Sequence, residues 1–328
     1  MAVARAQHAL PEPILNPGVK NFLESYRLGR LGIHSARKVR RLFYTLRDPL
    51  QHKTWIRQFV LPVRNALLMN RPVTVSAAGT RLILEPRGST AGDIWTGLRS
   101  EEHQFSFFRN ILNPGMIFFD VGANAGLFAL LAAKKIGAKN VFAFEPCSAT
   151  CNLLRQNLRL NGLSDVTVTQ AAVGESVSEG ILQVNARGRD GLNTLGQPVH
   201  PSSVVVGQQQ VRITTIDAFM AEHQVPRVDV MKVDIEGAEL MLFRGARELL
   251  RRADAPVILY AGFGFLTRGF GYHPVEILWL LESCGYNLLL LDNEIGVSAL
   301  DANYQYDSMV LAVKPGHPAY QRLCGVAQ

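Results

Sequence analysis

Cysteine is scarce: four in 328 residues, with no CxxC pair and no histidine cluster beside them. That is too little for a disulfide framework or a structural zinc site. Cys147 and Cys151 share helical spacing but lack such company, so a reduced, cytoplasmic protein is expected. Long apolar runs are missing too, and nothing approaches the roughly 20 residues a membrane helix needs. The opening MAVARAQHALPEPILNPG has no charged-then-apolar leader ending in a small-residue cleavage site. The eight histidines contain no H-E-x-x-H, so no metal centre is expected. No internal repeat at a solenoid period is present. Charged residues make up 19% against 48% hydrophobic, a balance that excludes disorder and membrane embedding. The length admits one large α/β domain with an appendage, or two small domains.

Acid is scarce in one place. Residues 1–70 hold twelve Lys/Arg against three Asp/Glu, a balance of +9 within a net charge of +7. The remaining residues are therefore slightly acidic, which argues against a nucleic-acid footprint over the fold. In SARKVRRLFYTLRDPL, Val39, Leu42, Phe43 and Leu46 form one apolar stripe, and Arg37, Lys38, Arg40, Arg41 and Arg47 occupy most of the rest. Such a basic amphipathic helix, over residues 35–50, can lie peripherally on an anionic membrane. It can equally dock on its own protein with a solvated basic face.

The chain divides into four pieces. A basic, mainly helical extension is expected over 1–72, and a β-hairpin (PVTVSAAGTRLILEP) with a helix (SEEHQFSFFRNIL) over 73–112. The main domain spans 113–316 and a tail 317–328. After the Asn113-Pro114-Gly115 loop the rhythm alternates. MIFFDVG, NVFAFEP, VTVTQAAVG, VDVMKVD, APVILYAGF, YNLLLLD and SMVLAVK read as strands, with helical patterns between most of them. Alternation of this kind predicts an open, mainly parallel sheet with helices on both faces.

In such a sheet, ligands bind beyond the carboxyl ends of strands, where the first strand turns into its helix. FFDVGANAGLFALLAAKK occupies that position. Gly122 and Gly126 let backbone approach a ligand closely, and a helix starting near Ala125 offers free N–H groups. The turn departs from the dinucleotide fingerprint G-x-G-x-x-G because Asn124 stands where the second glycine would be. Asp120, at the strand end, is a poor neighbour for pyrophosphate and a good one for an ammonium or sulfonium. Glu145 ends the next strand, 19 residues after Gly126, where an acid accepts both hydroxyl hydrogens of an adenosine ribose. Together these imply a cofactor with an adenosine and a positive charge but no phosphates, which S-adenosylmethionine satisfies.

The set FFDVGANAGLFALLAA, VFAFEPCSATCNLLRQNLRLNGL, VTQAAVG, TTIDAF and VDVMKVDIEGAELMLFRGA resembles the FkbM family of S-adenosylmethionine-dependent methyltransferases over about residues 113–312. The resemblance implies a Rossmann-like class I methyltransferase fold, an α/β architecture whose seven-stranded sheet ends in an antiparallel strand. It also implies O-methylation of hydroxyl groups on small molecules such as polyketides or sugars. It assigns cofactor binding to Asp120, Gly122, Asn124, Gly126 and Glu145, and adenine contact to the region of Ala172 and Val173. Many members carry an acid at the end of the strand matching PVILYAGF, where this chain has Ala261.

Methyl transfer to a hydroxyl calls for a general base at the carboxyl end of the sheet. Asp234 ends a strand placed beside the first one, and Glu236 follows in the turn; both are candidates for the catalytic group. Glu239, opening the next helix, also suits a helix N-terminus. Lys232 lies inside an apolar strand, where an ammonium needs a carboxylate partner; Asp120, Asp234, Glu236 and Glu239 are the candidates. Tyr272 and His273, in GYHP, lie on the expected substrate side, and His223 reads as a loop residue. Mg²⁺-assisted transfer through Asp234 and a neighbouring acid has no support. An NAD-dependent dehydrogenase is disfavoured by Asp120 and the absent middle glycine. A nucleic-acid N-methyltransferase is disfavoured because the fourth strand ends in DIEG. The alternative of another class is an inactive methyltransferase-fold binding module that docks through its basic N-terminus.

Overall fold

The computed structural model describes residues 72–77, 79–85, 102–186, 189–292, 296–300, 306–320 and 323. The expected basic extension up to residue 71, including its amphipathic stretch at 35–50, lies outside the described residues, as does most of 321–328.

β1 (Val73–Ala77) and β2 (Thr80–Leu84) form an antiparallel hairpin about the Ala-Gly turn. Its second strand is fastened to the main domain by side-chain amides: Arg81 N–H donates to Asn161 Oδ1 (2.9 Å) and Ile83 N–H to Asn157 Oδ1 (2.7 Å). After α1 (Glu102–Ile111) the alternating part begins with β3 (Phe118–Val121), α2 (Leu127–Ile136), β4 (Val141–Phe144), α3 (Ser148–Leu160) and β5 (Thr167–Thr169). A small second sheet comes next, built from β6 (Ala172–Val173), β7 (Ser178–Asn185) and β8 (Val205–Thr214). The chain then returns through α4 (Ile216–Glu222), β9 (Val230–Val233), α5 (Glu239–Arg244), α6 (Arg247–Arg251) and β10 (Val257–Ala261). It ends with α7 (Gly264–Thr267), α8 (Val275–Ser283), β11 (Asn287–Asp292), β12 (Gly296–Ala299) and β13 (Met309–Val313).

Among the described residues the main sheet has the order β12-β11-β13-β10-β9-β3-β4-β5. The five strands from β10 to β5 are parallel, and β13 runs antiparallel to both β10 and β11. This is the expected seven-strand arrangement with β12 added at the edge. The order of strand addition reverses between the parallel neighbours β3 and β9, so the crevice lies beyond Val121 and Val233.

All four residues of β3 are buried, and so are all four of β9. Alternation along a strand sends side chains to opposite faces. Phe118 and Val230 join the core under α1, α2 and α3, while Phe119, Val121, Met231 and Val233 join the one under α4, α5, α6 and α8. Aromatic edges lock the first core, with Phe108 against both Phe118 and Phe128 at 5.4 Å between ring centroids.

One strand expectation needs correction. VTVTQAAVG is not one strand: it breaks at exposed Gln170, leaving β5 in the main sheet and β6 paired in parallel with Ile213 and Thr214 of β8. Residues 211–214 end a ten-residue β8, which pairs antiparallel with β7. The small sheet packs on the main domain through Cys147, Ala172, Leu182 and Val211.

Candidate functional site

The glycine turn brings the ends of β3, β4 and β9 together. Gly122 has φ 78, and a Cβ there would lie 1.9 Å from the carbonyl oxygen of Asp234. Only glycine permits so close an approach. Gly126 has φ 90 and packs its bare Cα on Leu154, where a Cβ would meet Cδ1 at 2.3 Å. Asn124 adopts φ 49, a left-handed conformation that asparagine tolerates better than most residues. Its own Oδ1 accepts the N–H of Ala125 at 2.6 Å. Asparagine is therefore compatible with the left-handed turn at this position.

Glu145 follows β4 and is buried. Its Oε2 accepts the N–H of Asn124 and its Oε1 the N–H of Cys147, both at 3.0 Å. Each oxygen keeps a lone pair for a further donor, which fits a pair of ribose hydroxyls. Burial pushes its carboxyl up to about 7, against those two amide bonds. Ala172 and Val173 of β6 are buried on the far side of β5.

Asp120 is completely buried, and neither of its oxygens has a hydrogen-bond partner among the described residues. It faces Lys232 across the β3–β9 ladder. The Lys232 ammonium lies 3.9 Å from Asp120 Oδ1, 3.4 Å from Asp234 Oδ2 and 5.1 Å from the centroid of the Phe128 ring. Burial raises the Asp120 carboxyl to about 6 even against this cation. Lys232 thus has the carboxylate partners its apolar strand demands. Asp234 has 43% side-chain exposure and faces the crevice mouth.

The turn after Asp234 is held by side chains on every side. Glu236 has φ 55 and Gly237 φ 100. The buried carboxylate of Glu239 accepts the N–H groups of Ile235 (3.2 Å) and Gly237 (3.4 Å). Glu239 therefore braces the turn, and burial pushes it up to about 7. Tyr272 donates its hydroxyl to the carbonyl of Gly237 at 2.8 Å. Thr194 Oγ1 donates to the carbonyl of Glu236 at 3.2 Å. The Glu236 carboxyl is raised well above its ordinary value by burial, then by the neighbouring Asp234 and Glu239 charges.

The residues expected at the site separate into groups. Asp120, Gly122, Asn124, Gly126, Glu145, Asp234 and Glu236 come together on the ends of β3, β4 and β9. Tyr272 reaches the turn through its hydroxyl. His273 does not join them: it lines an outer groove with Leu240, Arg244 and Trp279, and its Nδ1 accepts the N–H of Val275 at 3.3 Å. His223 caps α4 with its ring on Phe219. Ala261 is the buried last residue of β10 and brings no acid to the crevice. Among the described residues no group of three or more His, Cys, Asp or Glu is placed to hold a metal ion. No helix among them is long and apolar enough to cross a membrane.

Two residues of the crevice carry no sequence signal. Thr194 and Asp190 sit in the connection between β7 and β8, beside Glu236 and Glu145 respectively. Asp190 lies near enough to Glu145 to add to its upward shift. No local pattern marks either one.

A parallel sheet reversing between β3 and β9, an antiparallel β13, and an acid–glycine–acid set at the reversal define a class I methyltransferase architecture. The Methyltransferase FkbM domain model matches residues 120–288, more than half of the chain, and the protein belongs to that family. Its cofactor is S-adenosylmethionine. The chain is 27% identical over 140 residues to Methyltransferase 1 of Beauveria bassiana, covering 38% of this chain and 56% of that protein. It is 26% identical over 178 residues to the hexuronic acid methyltransferase AglP of Haloferax volcanii, covering 52% and 67%. Little more than half of the fungal relative's length is thus represented. A solved S-adenosylmethionine-dependent O-methyltransferase of Thermotoga maritima aligns at 14% identity and a TM-score of 0.37, over 76% of this chain and 80% of that one.

Proposed function

We propose that this methyltransferase O-methylates a hydroxyl group of a small molecule, a sugar, polyketide or related metabolite. The observation that carries the reading is the Asp234–Glu236 turn, set against the glycine turn through the Gly122–Asp234 backbone contact. The relative named for a hexuronic acid supports a sugar-type acceptor.

The residues present fit the cofactor. Gly122 and Gly126 let the turn pack directly on Asp234 and Leu154, Glu145 has acceptor capacity for a ribose diol, and Asp120 is a buried carboxylate without a hydrogen-bond partner among the described residues. Ala172 and Val173 are assigned to the adenine edge. When bound, S-adenosylmethionine supplies a methyl group activated by its sulfonium.

An alcohol is a weak nucleophile, so the protein must align it and take its proton as the oxygen–carbon bond forms. Asp234, partly exposed at the crevice mouth, is assigned as the base that receives that proton. Glu236, with its raised carboxyl, holds a proton further towards neutrality and donates a hydrogen bond that orients the acceptor. A methyl-donor-dependent mass-shift screen of metabolites from the source organism tests the reading. A product heavier by one methylene on oxygen is expected. Asp234→Asn should keep near-normal cofactor affinity and lose roughly 10²–10⁴ in turnover. Methylation on nitrogen or carbon, or unchanged turnover in the variant, contradicts the assignment.

A further inference from the structure

We propose that Thr194 is a positioning residue for methyl transfer, holding the Glu236 carboxyl in the crevice through a hydrogen bond to the Glu236 backbone carbonyl. The inference rests on the assignment of Glu236 to the acceptor side of the site. Glu236 occupies the left-handed region at φ 55, which a non-glycine residue keeps only where its surroundings over-determine it. Glu239 takes the Ile235 and Gly237 amides, and Tyr272, from 35 positions away, takes the Gly237 carbonyl. The carbonyl of Glu236 itself is met from 42 positions away by Thr194 Oγ1 at 3.2 Å.

The geometry fixes the sense of that bond. Gly196 N–H donates to Thr194 Oγ1 at 3.1 Å, so the hydroxyl proton is directed to Glu236. Thr194 is buried and anchored to β7: Gln183 N–H donates to its carbonyl at 2.8 Å. The same connection is pinned beyond Thr194, where Gln197 N–H donates to the carbonyl of Gly269 at 2.9 Å. A Cβ on Gly196 would meet that carbonyl at 2.7 Å. Thr194 is therefore a rigid donor that forms part of the wall of the crevice and sets the backbone from which the Glu236 side chain departs.

The test reads Glu236 itself. The full chain carrying ¹³Cδ-glutamate is titrated by NMR, with the Glu236 signal assigned by its loss in Glu236→Gln. Asp234, Glu239 and Lys232 face that carboxyl and remain in every variant. In Thr194→Val, which keeps the shape and removes the donor, the Glu236 midpoint should fall by about one pH unit or more as the carboxyl swings towards water. Thr194→Ser should titrate like the wild type. An unchanged midpoint in Thr194→Val, or in Thr194→Ala should the valine variant not fold, overturns the proposal, as does a serine variant that behaves like valine. Calorimetry with S-adenosylhomocysteine should give the same affinity for wild type and Thr194→Val. Absence of binding to the wild type would count against the methyltransferase site and leave the titration result standing on its own.

Discussion

Lys232 places one ammonium between two carboxylates of different burial, 3.9 Å from buried Asp120 and 3.4 Å from partly exposed Asp234. The lysine thereby links the strand beneath α2 to the mouth of the crevice. Its hydrocarbon stem runs through an apolar sheet, and its charge is tolerated because the carboxylates meet it.

Removing that charge should expose the cost of Asp120. Lys232→Met leaves a buried carboxylate without its cation, and losses of about 3–5 kcal/mol are usual when one partner of a buried pair is removed. The deficit should be full at pH 8 and shrink as the pH falls, because Asp120 then takes a proton. Adding Asp120→Asn to Lys232→Met should restore most of the loss. Urea unfolding at pH 8 and pH 5 measures both effects, and a single variant as stable as wild type at pH 8 would show that the pair carries no weight.

The raised acids give the free protein a direction of pH dependence. Glu145 and Glu239 move up to about 7 and Asp120 to about 6, so the folded state binds more protons than the unfolded chain between about pH 4 and 7. Their contribution to stability is then complete below their ordinary values and is lost as the pH rises through 6–7. Wild type should therefore lose stability over this interval relative to Glu145→Gln. A ligand that favours ionised Glu145 should bind more tightly as the pH rises from 5 to 8, by roughly tenfold to a hundredfold, with proton release. Calorimetry with S-adenosylhomocysteine in two buffers of different ionisation enthalpy reads the protons; uptake instead of release would reverse the assignment.

Gly122 and Gly115 separate backbone strain from close approach. Both have positive φ (78 and 85), but a Cβ on Gly115 meets nothing within 4 Å. Gly115→Ala should cost about 1–2 kcal/mol from the left-handed backbone alone. Gly122→Ala should cost about 1–3 kcal/mol more through the collision with Asp234, and should abolish S-adenosylhomocysteine binding. Equal costs in the two variants would mean that the turn relaxes without disturbing β9.

The parts of the site on β3, β4 and β9 were legible because each strand is a short apolar run ending abruptly in an acid or a glycine. Burial on both sheet faces leaves such runs no polar residues except the paired Asp120 and Lys232, and the chemistry of the turn needs small residues. The small sheet was not legible for the converse reason. Most of β8, from Val205 to Gln210, is largely exposed and carries three consecutive glutamines, so neither a buried run nor alternation marks it. Thr194 was invisible for a further reason. Its partner lies 42 positions away, and the bond exists only because the β7–β8 connection meets the turn after β9 in the fold. Asn124 lay between these cases: the departure from glycine was plain, but its left-handed backbone and its bond to Glu145 required the structure.

The β3–β4–β9 crevice holds S-adenosylmethionine with Glu145 on its ribose in this account, and calorimetry of the full chain tests that most directly. Wild type should bind the methyl donor. Glu145→Ala should bind it about tenfold to more than a hundredfold more weakly, the loss of charge-assisted hydrogen bonds worth roughly 1.5–3 kcal/mol. Equal affinity in the variant would remove Glu145 from the cofactor site, and binding of NADH in place of S-adenosylmethionine would contradict the account as a whole.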